Sequence, residues 1–265
     1  VAVGCVLFIC IYLIVAGLPA VLEIGITDFL FGTEWAGKQG QFGILPFILT
    51  SVAGTAGAVL VGVPVGILTA MFLAKVAPPK AARVIRTAVE LLAGIPSIVY
   101  GLVGMIVLVP AIQRTFQLAS GATLLTAIVV LAVMILPSII NVAETALQAV
   151  PREYEEASLA LGATELETYF RVSVPAAKSG IAAAVVLGVG RAIGEAMAIL
   201  MVAGNVANMP GLFQSVRFLT TAVSSEMAYA SGLQRQALFS IALVLFLFIM
   251  LINIVLNTLL KRKKG

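Results

Sequence analysis

Sixteen basic and twelve acidic side chains are spread so unevenly over 265 residues that residues 1–22, 39–74, 91–113, 115–143, 179–190 and 236–260 carry no charge at all. A helix needs about 20 apolar residues to cross a bilayer, so most of these windows are long enough to do so. The mean hydropathy of +1.14 and the 11% share of charged residues agree, since a soluble domain carries roughly 25%. No strictly alternating pattern of a β-barrel is present, which leaves helices to satisfy the backbone in lipid. The expected fold class is an all-α membrane protein with six transmembrane helices, at about 1–21, 46–74, 88–112, 122–143, 177–204 and 236–260. The third contains Gly94, Pro96, Gly101, Gly104 and Pro110, which predicts a kink or partial unwinding. The sequence opens on Val1 inside an apolar run, so a preceding segment is expected.

Composition excludes several chemistries. With no histidine there is no His-based triad, His-ligated metal or imidazole shuttle, and no metal site is expected. Cys5 and Cys10 lack redox or zinc spacing and read as small lipid-facing residues. No G-x-x-x-x-G-K-[ST] occurs, so no phosphate-binding loop for ATP is expected. The run GVGRAIG at 188–194 is not a dinucleotide fingerprint, because its third glycine comes one position late and no strand precedes it. The methionines at 197, 201, 209, 227 and 250 are dispersed apolar filler.

Six spans place both termini and the 2–3 and 4–5 loops on one side. That side holds Lys75, Lys80, Arg83, Arg86, Arg152, Arg171, Lys178 and the tail Lys261, Arg262, Lys263 and Lys264. The other holds Lys38, Arg114, Arg217 and Arg235. The positive-inside rule then puts the C-terminus in the cytoplasm. It also accounts for the pI near 9.2 without invoking nucleic acid. Glu90 and Glu144, at the ends of helices beside basic loops, are expected to form interfacial ion pairs.

The loop at 151–175, PREYEEASLALGATELETYFRVSVP, is the most polar stretch on the basic side. Pro151 suits a first helical position, and Glu153, Glu155 and Glu156 favour the positive end of a helix dipole. Gly162 can take the left-handed position that stops that helix, and Thr164 with Glu167 is a capping-box signature for a second. Pro175 opens the return to the membrane. Two short helices bent at a glycine would make a rigid knob.

Glu156-Ala157-Ser158, Gly162 four residues later and Val172-x-Val174-Pro175 resemble the EAA loop of ABC importer permeases. Ser158, Val172 and Val174 replace the family's usual Ala, Ile and Leu. GIPSIVYGLVG at 94–104, LGVGRAIGEAMAILMVAGN at 187–205 and LTTAVSSEMAYASGLQRQALF at 219–239 resemble the phosphate-specific importer. Residues 32–46 and 197–205 look more like its PstC-type permease than the PstA-type partner. The resemblance implies a type I ABC importer permease fold, a single permease domain over 1–265, with a cytoplasmic coupling loop at 151–175 and an extracytoplasmic loop at 206–233. It implies a non-catalytic subunit of the bacterial inner membrane with no cofactor of its own. ATP-Mg would be bound by two PstB-like ATPase subunits. A second, PstA-like permease and a PstS-like extracytoplasmic phosphate-binding protein complete the expected partners, with inorganic phosphate as cargo, membrane lipid around the chain and no nucleic acid. Glu156, Ala157, Ser158, Gly162 and Pro175 are the expected ATPase-coupling residues.

Arg191 and Glu195 interrupt the fifth apolar segment. An arginine at the bilayer centre is costly, and a spacing of four would place both side chains on one helix face, where they can pair. Gly190 and Gly194 share that spacing, which lets another helix approach closely. Arg191 can offer phosphate a bidentate fork while Glu195 orients it and balances its charge. The other reading is a permanent ion pair that fixes register against a partner. One arginine is too little for a mostly divalent anion, so the partner is expected to add a cation. Ser97 and Tyr100 beside Pro96 either line the path or satisfy backbone freed by the kink, and Asn205 is a pathway group or a cap. The segment 206–233 rests on the membrane or meets a binding protein. The rival functions are an ABC permease for another oxyanion and an ion-coupled secondary transporter using Arg191 and Glu195 as a proton relay.

Overall fold

A computed structural model describes residues 2–262, apart from the side chains of residues 2, 3, 6, 38, 256, 257 and 259–262. Of the basic residues used for orientation, Lys263 and Lys264 therefore lie outside the described residues, as do the side chains of Lys38, Lys261 and Arg262. Helices α1 (Ala2–Ile24) and α2 (Ile26–Phe31) lead into a two-residue hairpin, β1 (Trp35–Ala36) paired antiparallel with β2 (Gln41–Phe42). Helix α3 (Leu45–Met71) ends in a π-helical turn, Phe72–Val76. Then come α4 (Pro79–Gly94), α5 (Ser97–Val103), a second π-helical turn (Gly104–Leu108), α6 (Val109–Thr115) and α7 (Leu124–Gln148). Helices α8 (Arg152–Ala160) and α9 (Glu165–Thr168), a third π-helical turn (Tyr169–Ser173) and α10 (Val174–Ala176) make up the next loop. The chain continues as α11 (Lys178–Gly194), α12 (Met197–Val202), α13 (Leu219–Glu226) and α14 (Gly232–Arg262). Among the described residues five helical segments are long and apolar enough to cross a membrane, and six if Glu165–Ala176 and Lys178–Gly194, bent by 73°, count as one span.

Two expected spans are corrected. The third does not start at residue 88, because α4 runs to Gly94 as a separate amphipathic helix with Ala82 and Val89 buried. Pro96 disfavours helical backbone in the residue before it, and Ile95 is extended at φ −72°, ψ 127°. The apolar crossing segment is Ser97–Thr115. The fifth is not one helix over 177–204, since α11 stops at Gly194 and α12 begins at Met197.

Contacts divide the chain into two compact units of interleaved segments. The first comprises the chain up to Ala56, Ser97–Val130 and Ile193–Ile252; the second comprises Gly57–Pro96, Leu131–Ala192 and the chain from Asn253. The first unit has its core around Phe29, Phe42, Ile44, Phe47, Leu219, Leu238 and Ile241. Trp35 packs on Phe42 and Phe47, at 5.5 and 5.6 Å between ring centroids. Gly101 lets α5 meet the backbone of α12, where an added Cβ would lie 2.8 Å from Ala198 Cα.

In the second unit α7 is flanked by glycines from two other helices. A Cβ on Gly62 or Gly66 of α3 would come within 2.7 Å of Ile135 or Ile139, and one on Gly188 of α11 within 2.9 Å of Ile139. Small residues allow this backbone approach, the usual route to helix packing in lipid. Leu73, Ala82, Val89 and Ile140 form a further buried cluster where α4 and the 72–76 turn meet α7.

Candidate functional site

The 151–175 loop folds by local rules. Pro151 is the N-cap of α8 rather than its first residue, and Gly162 has φ +88°, the left-handed value that ends a helix at low cost only in glycine. Thr164 then caps α9 with a complete capping box. Its hydroxyl accepts from the Glu167 N–H at 3.3 Å, while the Glu167 carboxylate accepts from the Thr164 N–H at 3.0 Å. These Thr164 bonds hold the Glu167 carboxyl below its ordinary range. Ser158 and Thr168 hydroxyls, 2.9 Å apart, tie α8 to α9. The outward face is apolar, with Leu161 90%, Leu166 62% and Phe170 51% exposed. Glu156, Ala157, Gly162 and Pro175 are exposed as well, and Ser158 is half-buried.

The loop is anchored on its inner face. Lys75 Nζ lies 2.5 Å from Glu155 Oε1, the Ser173 hydroxyl donates to the same oxygen at 2.7 Å, and the Tyr169 hydroxyl donates to the Lys75 carbonyl at 3.3 Å. Burial alone would raise the Glu155 carboxyl, but the hydrogen bonds from Lys75 and Ser173 and the lysine's charge outweigh it and hold the pKa below 4.5. Beside this anchor Arg86 Nε pairs with the buried Glu144 at 2.6 Å, and Gln148 donates to Glu144 at 2.9 Å. Glu144 thus forms the expected ion pair, whereas Glu90 lies on the exposed face of α4.

Arg191 and Glu195 do not share a helix face. Arg191 is in the last turn of α11 and Glu195 follows its end. Arg191 Nη1 donates to the Ser138 hydroxyl at 3.2 Å, just after Pro137 inside α7. Glu195 Oε1 accepts the Ala198 N–H at 3.0 Å, and the Glu195 carbonyl accepts the buried Thr220 hydroxyl at 2.8 Å. A carboxylate at a helix start is favoured by the free N–H groups there, so Glu195 has compensation of its own. Among the described residues a Cβ on Gly190 or on Gly194 would meet nothing within 4 Å, which leaves each glycine open to close approach.

Ser97 opens α5 and Tyr100 lies one turn on, both half-buried. Asn205 takes the role of a cap. At φ 56° it donates from Nδ2 to the Leu200 carbonyl at 2.6 Å, and its own carbonyl accepts Arg217 Nε at 2.9 Å.

Sequence reasoning missed a polar clasp in the first unit. The Glu226 carboxylate accepts from Trp35 Nε1 at 3.1 and 3.2 Å, from Gln234 at 3.0 Å and from Arg217 Nη1. These groups border a cavity of about 590 Å³ that Asn205 also lines. Trp35 and Glu226 are 191 residues apart, so no spacing rule joins them. The one hint was that Arg217 and Glu226 are the sole charges in 206–233. Ser138 was missed for the same reason.

The family described as binding-protein-dependent transport system inner membrane component matches residues 62–264. The chain is 40% identical over 256 residues to the probable ABC transporter permease protein YqgH of Bacillus subtilis, covering 92% of this chain and 83% of that one. It is 35% identical over 266 residues to the phosphate transport system permease protein PstC of Pasteurella multocida, covering 89% and 83%. Among solved structures it is similar to the methionine ABC transporter MetNI in inward-facing conformation, with a TM-score of 0.65, 21% identity and coverage of 83% of this chain and 95% of that one. The fold is therefore that of type I ABC importer permeases.

Proposed function

Because the chain belongs to the family of binding-protein-dependent transport system inner membrane components, and so is a permease subunit of an ABC transporter, we propose that its cargo is inorganic phosphate. Relatives named PstC, at 31–35% identity over most of the chain, support the cargo. In this reading the permease sits in the bacterial cytoplasmic membrane with its C-terminus inside, and it pairs with a second, PstA-like permease at Gly190 and Gly194. An extracytoplasmic binding protein delivers phosphate, and two ATPase subunits bind ATP-Mg. This chain does no chemistry.

The observation that carries the coupling to an ATPase is the 151–175 loop, a two-helix knob with Leu161, Leu166 and Phe170 turned outward. Such a face, stiffened by a capping box and a left-handed glycine, suits docking into an ATPase groove. Glu156, Ala157, Ser158, Gly162 and Pro175 build or flank it. Arg191 is the phosphate-handling residue. Ser138 occupies one guanidinium nitrogen, and the remaining donors match phosphate oxygens. Glu195, whose carboxylate is held by the Ala198 N–H, is the second charged residue we assign to the path. Ser97, Tyr100 and Asn205 are the polar groups we assign to the path's margins.

The test is uptake of labelled phosphate into proteoliposomes holding the assembled transporter, wild type against Arg191→Ala. Both must assemble equally and hydrolyse ATP at the same basal rate. The expected outcome is ATP-dependent uptake that falls at least about a hundredfold in the variant, as for loss of a buried charge-assisted contact. Undiminished uptake would remove Arg191 from the path, and preferential uptake of sulfate over phosphate would reassign the cargo.

A further inference from the structure

Lys75 is held at both of its ends by the 151–175 loop. It lies in the π-helical turn Phe72–Val76, which continues α3. Its ammonium pairs with Glu155 at 2.5 Å, the two side chains being 11% and 16% exposed, and its carbonyl accepts the Tyr169 hydroxyl at 3.3 Å. The two grips come from different parts of the loop, α8 and the turn Tyr169–Ser173. Those parts are themselves joined by Ser173 to Glu155 at 2.7 Å and by Ser158 with Thr168 at 2.9 Å.

A closed ring results. α8 cannot be displaced from Lys75 without parting an ion pair largely withdrawn from water, and separating such a pair leaves a buried charge uncompensated. The last carbonyls of a helix have no intrahelical partner, so the Lys75 carbonyl is a natural acceptor for a group from outside α3. π-Helical turns often mark functional positions, and this one is gripped elsewhere too. Arg86 Nη2 donates to the Leu73 carbonyl at 3.3 Å while its Nε pairs with Glu144 of α7 at 2.6 Å. One short turn thus gathers the loop, α4 and α7.

We propose that Lys75 is the point at which the loop moves the second membrane span. The ATP-driven stroke enters α3 through the Lys75–Glu155 pair and the Tyr169 bond, in parallel with the covalent route from Pro175 into α11. The inference rests on the reading of 151–175 as the ATPase dock. Lys75, Glu155 and Tyr169 are positioning residues that touch neither ATP nor phosphate.

The experiment measures phosphate import and ATP hydrolysis in the same proteoliposomes, with retention of the ATPase on the detergent-solubilised permease as a separate readout. Lys75→Glu and Glu155→Lys, each alone, should keep the ATPase bound and hydrolysing but import about tenfold less phosphate per ATP. Combining them should recover at least about half of the wild-type ratio, since the opposite charges meet again. Tyr169→Phe removes one hydroxyl, keeps the ring and should lower the ratio about twofold; it also serves if a single charge reversal fails to assemble. A Lys75→Cys, Glu155→Cys pair should import less phosphate per ATP, and joining the two thiols with a short, reducible linker should raise the ratio again, because the linker restores the tie between positions that travel together. Three results would overturn the proposal: an unchanged import ratio in the single variants, no recovery in the exchanged pair, or transport arrested by the linker and released on cleaving it. Failure of the wild-type assembly to import phosphate with ATP would instead overturn the phosphate-importer reading.

Discussion

Glu155 shows how the loop's anchor responds to acidity. Its carboxyl lies below the ordinary 4.5 because Lys75 and Ser173 outweigh the effect of burial. A depressed acidic pKa adds stability that is fully present above the unfolded value and is lost as the pH falls through the folded one. Glu155→Gln, which deprives Lys75 of its charged partner, should cost about 1–3 kcal/mol at neutral pH. The gap in thermal stability between wild type and variant, followed in detergent, should close only below pH 4.5. A gap already closed near neutrality would mean that the Lys75 contact contributes nothing. At Arg191 the guanidinium donates to a neutral hydroxyl, that of Ser138, and in the proposed importer its charge is the one offered to an incoming anion.

Elements make two further predictions. Gly162 has open space around its Cα but a φ of +88°, so Gly162→Val is penalised by backbone conformation, by about 1–2 kcal/mol, rather than by crowding. The α8–α9 turn should reshape, and ATP hydrolysis should proceed with little phosphate uptake; normal uptake would argue against docking through this loop. Gly66 presents the opposite case, with helical backbone but Ile139 only 2.7 Å from a new Cβ. Gly66→Val should destabilise the α3–α7 contact by about 1–3 kcal/mol, lowering the melting temperature in detergent without changing ATPase attachment. The loop was legible in the sequence because Gly162, Thr164 and Glu167 act over three or four residues. The kink at Pro96 was legible for the same reason, though not where the crossing segment begins. The break after Gly194 was not. Residues 177–204 read as one apolar stretch, and the Thr220 hydroxyl that binds the Glu195 carbonyl comes from 25 residues away. The Lys75–Glu155 and Trp35–Glu226 ties lie beyond any local pattern as well.

Across the chain, charge-free windows located four of the six expected spans closely, because lipid leaves backbone polar groups no other solution. The proposed importer draws its energy from ATP alone. Dissipating the proton gradient across proteoliposomes should leave ATP-driven phosphate uptake unchanged within about twofold, and collapse of uptake would favour the ion-coupled transporter. The interleaving of the two compact units also bears on the order in which the chain is made. A ribosome that has released residue 192 has supplied Lys75, Arg86, Glu144, Glu155 and Tyr169, so every partner in the loop's anchor is present. Arg217, Glu226 and Gln234 do not yet exist. During synthesis, then, the knob and its grip on the second span can be finished while the clasp around Glu226 waits for the last quarter of the chain, and a stalled nascent permease would present the exposed Leu161, Leu166 and Phe170 before that clasp could close.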